Sequence, residues 1–248
     1  MRKWLFPERC PGCGRVLDMD QSGFCGVCQN RLTLAAEPVC KRCGKPLEQA
    51  AAELCSDCSQ KAHRFIQNKA YCVYEGPAKD AMYRFKYGNA KWVGRVFARE
   101  LMRTQGRWLA AKQLQAIVPV PMFRQKERER GYNQAAVLAG QLAEKLGIPV
   151  LPAVRRVRNT VPQKELSVSI RRKNLKKAFK LDKNVVKYDC LYSAIGRNVC
   201  DRILIVDDIY TTGATLDAVC ELLLMGRIAR EVYAMTAVVG RGMQYRLR

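Results

Sequence analysis

The chain has 248 residues, with 44 Lys and Arg against 22 Asp and Glu, so its formal net charge is +22. Apolar residues at 48% supply a core and exclude a wholly disordered basic tail protein, and the length suits one full domain plus a small one. No apolar run approaches the roughly 18 residues of a membrane span, and the basic start Met1-Arg2-Lys3-Trp4-Leu5-Phe6-Pro7 lacks the apolar stretch of a signal peptide, so a cytoplasmic location is expected.

Eight of the twelve cysteines form four CxxC pairs, Cys10/Cys13, Cys25/Cys28, Cys40/Cys43 and Cys55/Cys58. In a reducing compartment such pairs bind metal far more often than they form disulfides. Adding thirty to each cysteine of the first unit lands on a cysteine of the second, and Gly14 and Leu17 recur as Gly44 and Leu47, so the segment is an internal repeat. Two residues between cysteines let a tight turn aim both thiolates at one ion, and the glycines suit the positive φ that such turns use. Two turns complete a tetrahedral four-sulfur site with no open position, which predicts two structural zinc ions. Spacing leaves ligand pairing within or across repeats open; the equal internal gaps favour pairing within. Residues 1–60 hold too few large apolar side chains to fold on a core of their own, so metal binding supplies the folding free energy. Eight thiolates and two Zn²⁺ bring the net charge from +22 to about +18. His63, the only histidine, follows two already complete sites. The isolated Cys72, Cys190, Cys200 and Cys220 read as ordinary small residues.

After a polar junction at Ser59–Lys69, strand-like and helix-like stretches alternate, which divides the chain into a ribbon domain at 1–62 and a second domain at 70–248. Ala70–Glu75 reads as a strand, Pro77–Thr104 as a helix interrupted at Gly88, and Ala116–Val120 as a short buried strand. Asn133–Leu146 carries an apolar stripe of Ala135, Leu138, Ala139, Leu142 and Leu146. Ile203–Val206 is a fully apolar strand, Gly213–Met225 a helix and Val232–Val239 a last strand. This alternation predicts an α/β domain with a parallel sheet covered by helices.

Ligands of such sheets bind beyond the carboxyl ends of strands. After Val206 the chain reads Asp207-Asp208-Ile209-Tyr210-Thr211-Thr212-Gly213-Ala214-Thr215. Adjacent carboxylates at a strand end are costly unless they meet a cation or sugar hydroxyls. The small-residue loop that follows opens a helix, and its amides, threonine hydroxyls and positive helix end form an anion cradle sized for phosphate. A hydroxyl-accepting pair beside a phosphate cradle describes a sugar phosphate.

This segment resembles the phosphoribosyl pyrophosphate (PRPP) fingerprint of the type I phosphoribosyltransferases. The resemblance implies that Asp207 and Asp208 hold the ribose hydroxyls, that Thr211, Thr212, Gly213, Ala214 and Thr215 hold the 5′-phosphate, and that Mg²⁺ accompanies PRPP. A loop after an early strand grips the pyrophosphate in that family. Here the corresponding Met122–Arg130 offers Arg124, Lys126, Arg128 and Arg130, although RQKERER also reads as a solvated loop. Gly131–Gln134 is given a structural or binding role, and Lys86 is either a pyrophosphate contact or a surface helix lysine.

The double cysteine repeat, the Val118-Pro119-Val120-Pro121 strand, RGYNQ, QKELSVSIRRKNLKKAF and DDIYTTGAT together resemble the ComF family, phosphoribosyltransferase-like proteins linked to natural competence, with GntX-type relatives. The resemblance runs from Cys10 to about Val239. It implies a double zinc ribbon on a type I phosphoribosyltransferase fold, and a part in handling incoming single-stranded DNA, beside a helicase or other DNA-uptake partner. It fixes neither a transferase reaction nor an acceptor; a non-catalytic PRPP sensor or nucleic-acid module and a nucleobase salvage enzyme stand as alternatives. Val185–Asn198 departs from the family pattern as an extra stretch ahead of the fingerprint.

From Val154 to Lys187 twelve basic residues face Glu165 and Asp182, a charge of +10 in 34 residues. Such a run is usually a solvated face, yet self-repulsion is better tolerated when a polyanion neutralises it. Lys164, Arg171, Arg172, Lys173, Lys176 and Lys177 are the candidates for a nucleic-acid contact or a hood over the sugar-phosphate site. Phe179, with Tyr188 at the edge, is the run's one aromatic. Backbone attraction rather than sequence readout is therefore expected.

Overall fold

The computed structural model describes residues 7–159, 177–185 and 199–241. Each cysteine repeat forms a turn followed by a one-turn helix, α1 (Gly26–Asn30) after Cys25 and α2 (Ser56–Gln60) after Cys55. The turns are alike: Gly14 and Gly44 have φ of 81° and 77°, and their amides donate to the Cys10 and Cys40 carbonyls at 2.8 and 2.9 Å. A side chain at either position would strain the backbone.

The remaining elements follow as β1 (Asn68–Val73), α3 (Gly76–Tyr87), α4 (Lys91–Ala111), β2 (Ala116–Pro119), α5 (Arg124–Arg130) and α6 (Gln134–Leu146). Then come β3 (Val154–Arg156), β4 (Phe179–Leu181), β5 (Cys200–Tyr210), α7 (Ala214–Met225) and β6 (Ala229–Val239). The main sheet is parallel throughout, in the order β1-β6-β5-β2, and β3 and β4 form a separate antiparallel pair. The expected break at Gly88 separates α3 from α4. RQKERER, read as a loop, is the short helix α5; none of its residues is buried, so no apolar periodicity could announce it. Strand β5 also outruns its apolar core: Asp207 pairs with Thr236 and Tyr210 with Val239, because β6 runs on to Val239 and offers backbone ladder partners.

Side chains alternate across the sheet and build two cores. On one face Tyr71, Leu204, Val206 and Met235 meet Phe85, Phe97, Leu101, Leu138 and Leu142 from α3, α4 and α6. The other face brings Ala70, Ile203, Ile205 and Ala234 against Leu216, Val219 and Leu223 of α7. Cys10, Cys25 and Cys28 belong to the first core, and Cys40, Cys43 and Cys58 to the second. The duplicated unit therefore straddles the β1 edge, with one copy on each side of the sheet. The chain between the copies covers that edge, where the Ala35 amide donates to the Tyr71 carbonyl at 2.9 Å and the Val73 amide to the Thr33 carbonyl at 2.8 Å. Cys72, Cys200 and Cys220 are buried in these cores, and Cys190 lies outside the described residues.

Candidate functional site and cysteine clusters

The eight cysteines gather as Cys10, Cys13, Cys25, Cys28 and as Cys40, Cys43, Cys55, Cys58, each set with its sulfurs within 4.8 Å of one another. Ligands thus pair within repeats. Cys13 and Cys25 sulfurs lie 3.7 Å apart, and those of Cys43 and Cys55 3.6 Å. A tetrahedron with Zn–S bonds of about 2.3 Å has edges of about 3.8 Å, so both clusters fit structural zinc. The Cys25 amide also donates to Cys10 Sγ at 3.3 Å, a bond that suits a thiolate. Arg84 of α3 donates to the Pro11 carbonyl at 2.9 Å and to that of Gly12, which docks the first turn on the helix.

Strand β5 delivers Asp207 and Asp208 to the carboxyl edge of the sheet. The Asp208 amide donates to Asp207 Oδ1 at 2.8 Å, and Lys86 Nζ from the end of α3 meets Asp208 Oδ2 at 2.9 Å. Burial, followed by the neighbouring Asp208 charge, pushes the Asp207 carboxyl well above the usual carboxylate range. Arg156 of β3 lies close enough to feel Asp207: burial lowers its pKa, and the Asp207 charge opposes that.

Three residues beyond Tyr210 the backbone turns at Gly213, with φ of 74°, into α7, whose N-terminus has no side-chain cap. Its first amides are free of such competition and face the loop of Thr211 and Thr212, both exposed. The pair of carboxylates and the uncapped helix start thus stand at the two ends of one short loop.

An open pocket of about 460 Å³ adjoins this centre, lined by Lys86, Tyr87, Lys126, Arg128, Arg130 and Gly131 among others. Lys86 belongs to both the pocket and the acidic pair. The RGYNQ motif fixes it there: the Tyr132 hydroxyl and Gln134 Nε2 both donate to the Phe85 carbonyl, and Asn133 ties α6 to the end of β2 through the Val120 carbonyl at 2.9 Å.

Family comparisons agree with this anatomy. Residues 1–73 match the Double zinc ribbon domain, which takes in both clusters and all of β1, and residues 133–247 match the Phosphoribosyl transferase domain. Over 239 residues the chain is 35% identical to Competence protein F of Haemophilus influenzae, covering 88% of this chain and 92% of that protein. The chain belongs to the ComF/YhgH family. DNA utilization protein YhgH of Escherichia coli K12 is 29% identical over 238 residues, 92% of this chain and 96% of its own. Among solved structures, the adenine phosphoribosyltransferase of Saccharomyces cerevisiae aligns with 60% of this chain and 68% of its own at 18% identity, with a TM-score of 0.36.

In this ComF/YhgH chain, Lys126, Arg128 and Arg130 reach the pocket, while Arg124 is exposed at the start of α5. Lys164, Arg171, Arg172, Lys173 and Lys176 lie outside the described residues, as does Tyr188; Lys177 is exposed just before β4. Phe179 is buried under the Arg156 guanidinium and offers no stacking face to a base. Among the described residues the exposed aromatics are Tyr83 and Tyr87 on α3, with ring centroids 5.2 Å apart, and Arg130 sits 5.1 Å above Tyr87. Their spacing of four on a helix was a readable signal, but two tyrosines in MYRFKY do not declare which face is wet. No helix of the described residues is long and apolar enough to cross a membrane.

Proposed function

We propose that the chain binds PRPP with Mg²⁺ at the end of β5 and acts on incoming single-stranded DNA. The observation that supports it most is the Asp207–Asp208 pair and the uncapped α7 start joined by one short loop, with Lys86 bridging to a basic pocket. In this reading the two carboxylates accept hydrogen bonds from the ribose hydroxyls, and the amides and hydroxyls of Thr211–Thr215 hold the 5′-phosphate. Lys86, released from Asp208 as the sugar arrives, turns with Lys126 and Arg128 toward the pyrophosphate. Mg²⁺, when bound, supplies further positive charge on that pyrophosphate. A transfer on this site breaks the bond from sugar C1 to the pyrophosphate oxygen, whose electron pair leaves with pyrophosphate, and forms a bond from C1 to the acceptor.

Isothermal titration of PRPP with Mg²⁺ into zinc-replete wild type and into Asp207→Asn/Asp208→Asn tests the reading. Binding by the wild type and a loss of more than about tenfold in the variant are expected, since each replaced carboxylate removes charge-assisted bonds of about 1.5–3 kcal/mol. No binding by the wild type would overturn it. Binding without pyrophosphate release on any nucleobase would mark a sensor and not a transferase.

Tyr83 and Tyr87, 65% and 63% exposed beside Lys126, Arg128 and Arg130, favour a second, compatible reading in which this face carries the single strand. Base–aromatic stacking contributes about 1–3 kcal/mol per base. Tyr83→Ala/Tyr87→Ala is expected to weaken binding of a thymidine oligomer at least fivefold by fluorescence anisotropy, with a steep loss of wild-type affinity as salt rises. Affinity unchanged in the variant would move the strand to another surface.

A further inference from the structure

Resting on the reading of Thr211–Thr215 as a phosphate loop, we propose that His63 is a positioning residue that couples this loop to the second cysteine cluster. The ring is buried, and its two nitrogens hold both ends of the loop. Nε2 meets the hydroxyl of Tyr210, the last residue of β5, at 3.2 Å. Nδ1 meets Asp217 Oδ2 and Oδ1, in the first turn of α7, at 3.0 and 3.1 Å. Phe65 stacks on the ring at 4.8 Å and keeps it from turning. Its neighbours join the same grip: Lys61 Nζ donates to the Thr212 carbonyl at 3.1 Å and pairs with Asp217 at 3.0 Å, and the Arg64 amide donates to Asp217 Oδ1 at 2.9 Å.

Gly213 shows how closely the loop is moulded on this ring. A Cβ there would lie 2.7 Å from His63 Cε1 and 2.7 Å from the Tyr210 hydroxyl, at a backbone φ of +74°. The ring therefore occupies the space beneath the glycine that starts the helix.

The second cluster reaches the loop by two routes. Along the chain, α2 carries Cys58 and runs directly into Lys61 and His63. Through space, Lys45 Nζ lies 5.8 Å from the Tyr210 ring centroid and 2.6 Å from Asp57, and these two residues belong to the second pair of cysteine turns. The first copy of the repeat provides an internal comparison. Thirty residues before His63 stands Thr33, whose carbonyl caps the β1 edge and whose hydroxyl goes to Glu75; thirty before Asp57 stands Val27, exposed. Two copies of one zinc-binding unit have thus taken different tasks, the first at the sheet edge and the second under the phosphate loop.

Coupling between two sites is reciprocal, so a change in the loop must be felt by the cluster and the reverse. That gives a readout independent of any enzymatic activity. The full-length protein, with its zinc content measured, is exposed to a chelator and N-ethylmaleimide, and modification of each cysteine is followed by peptide mass spectrometry. In His63→Ala and Gly213→Ala, Cys40, Cys43, Cys55 and Cys58 are expected to react at least about fivefold faster, while Cys10, Cys13, Cys25 and Cys28 keep their wild-type rates. His63→Gln, which retains a hydrogen-bonding side chain, is expected to restore part of the protection. PRPP with Mg²⁺ is expected to slow the second set in wild type and not in His63→Ala. Wild-type rates for both sets in both variants would overturn the coupling, and so would equal acceleration of the two sets, which is general loosening. Selective acceleration with no protection, in a wild type that calorimetric titration shows not to bind PRPP, would uphold the coupling and count against the phosphate reading instead; no protection despite measured binding would overturn the coupling.

Discussion

At Asp207 the fold and the proposed task pull in opposite directions. Its carboxyl is hemmed in by burial and by the Asp208 charge, with the charge of Lys86, which pairs with Asp208, as the counterweight. A carboxyl whose folded pKa is raised contributes its full share of stability below its unfolded value of about 4, and that share is lost as pH rises through the folded value. Ionising Asp207 in this setting thus costs stability, a cost that the proposed sugar-phosphate site would explain. Asp207→Asn keeps an oxygen for the Asp208 amide and removes the charge. The variant is expected to melt above the wild type at pH 7.5, with the gap closing as pH falls toward about 4, where the wild-type carboxyl is itself protonated. Differential scanning fluorimetry across that range checks it; a gap that is flat with pH would mean that the Asp207 charge carries no folding penalty.

Among the elements, what could be read beforehand was what is local. The CxxC turns, the apolar stripe of α6 and the β5–loop–α7 fingerprint are written in contiguous residues, and the structure shows them with boundaries displaced by a few positions where strand pairing or capping decides. Helix α5 was hidden because a helix with no buried face has no period to display. Contacts between distant elements were hidden for another reason. Lys86 could be singled out from α3, but nothing in its surroundings announces Asp208, and His63 meets Asp217 across 154 residues of chain. The histidine stands out in sequence only as the sole one, placed after two sites that are already complete; its bonds to Asp217 and Tyr210 come from tertiary packing. The same holds for RGYNQ, whose Tyr132 and Gln134 converge on a single carbonyl of α3 and so aim the lysine that follows it.

Across the whole molecule, the segment in which the sequence places a boundary between residues 1–62 and 70–248 is heavily bonded. His63, Arg64 and Phe65 grip α7 and β5, Asn68 Nδ2 donates to the Cys43 carbonyl at 2.9 Å, and the Asn68 amide donates to the Arg42 carbonyl at 2.8 Å. Each cluster moreover contributes cysteines to one of the two cores of the sheet. Ribbon and sheet therefore ought to melt together. Structural zinc is worth about 10–16 kcal/mol to a zinc-finger peptide at neutral pH, and about 1 kcal/mol moves the midpoint of a domain this size by about 2–4 °C. Even a partial loss of that energy on chelation is then a fall of ten degrees or more, on the order expected from those two values. Calorimetry of the zinc-loaded chain is expected to give one transition, and chelator is expected to lower it as a whole. Two transitions, with the hotter one unmoved by chelator, would show that the sheet stands without its ribbons and that the clusters are appendages rather than part of the core.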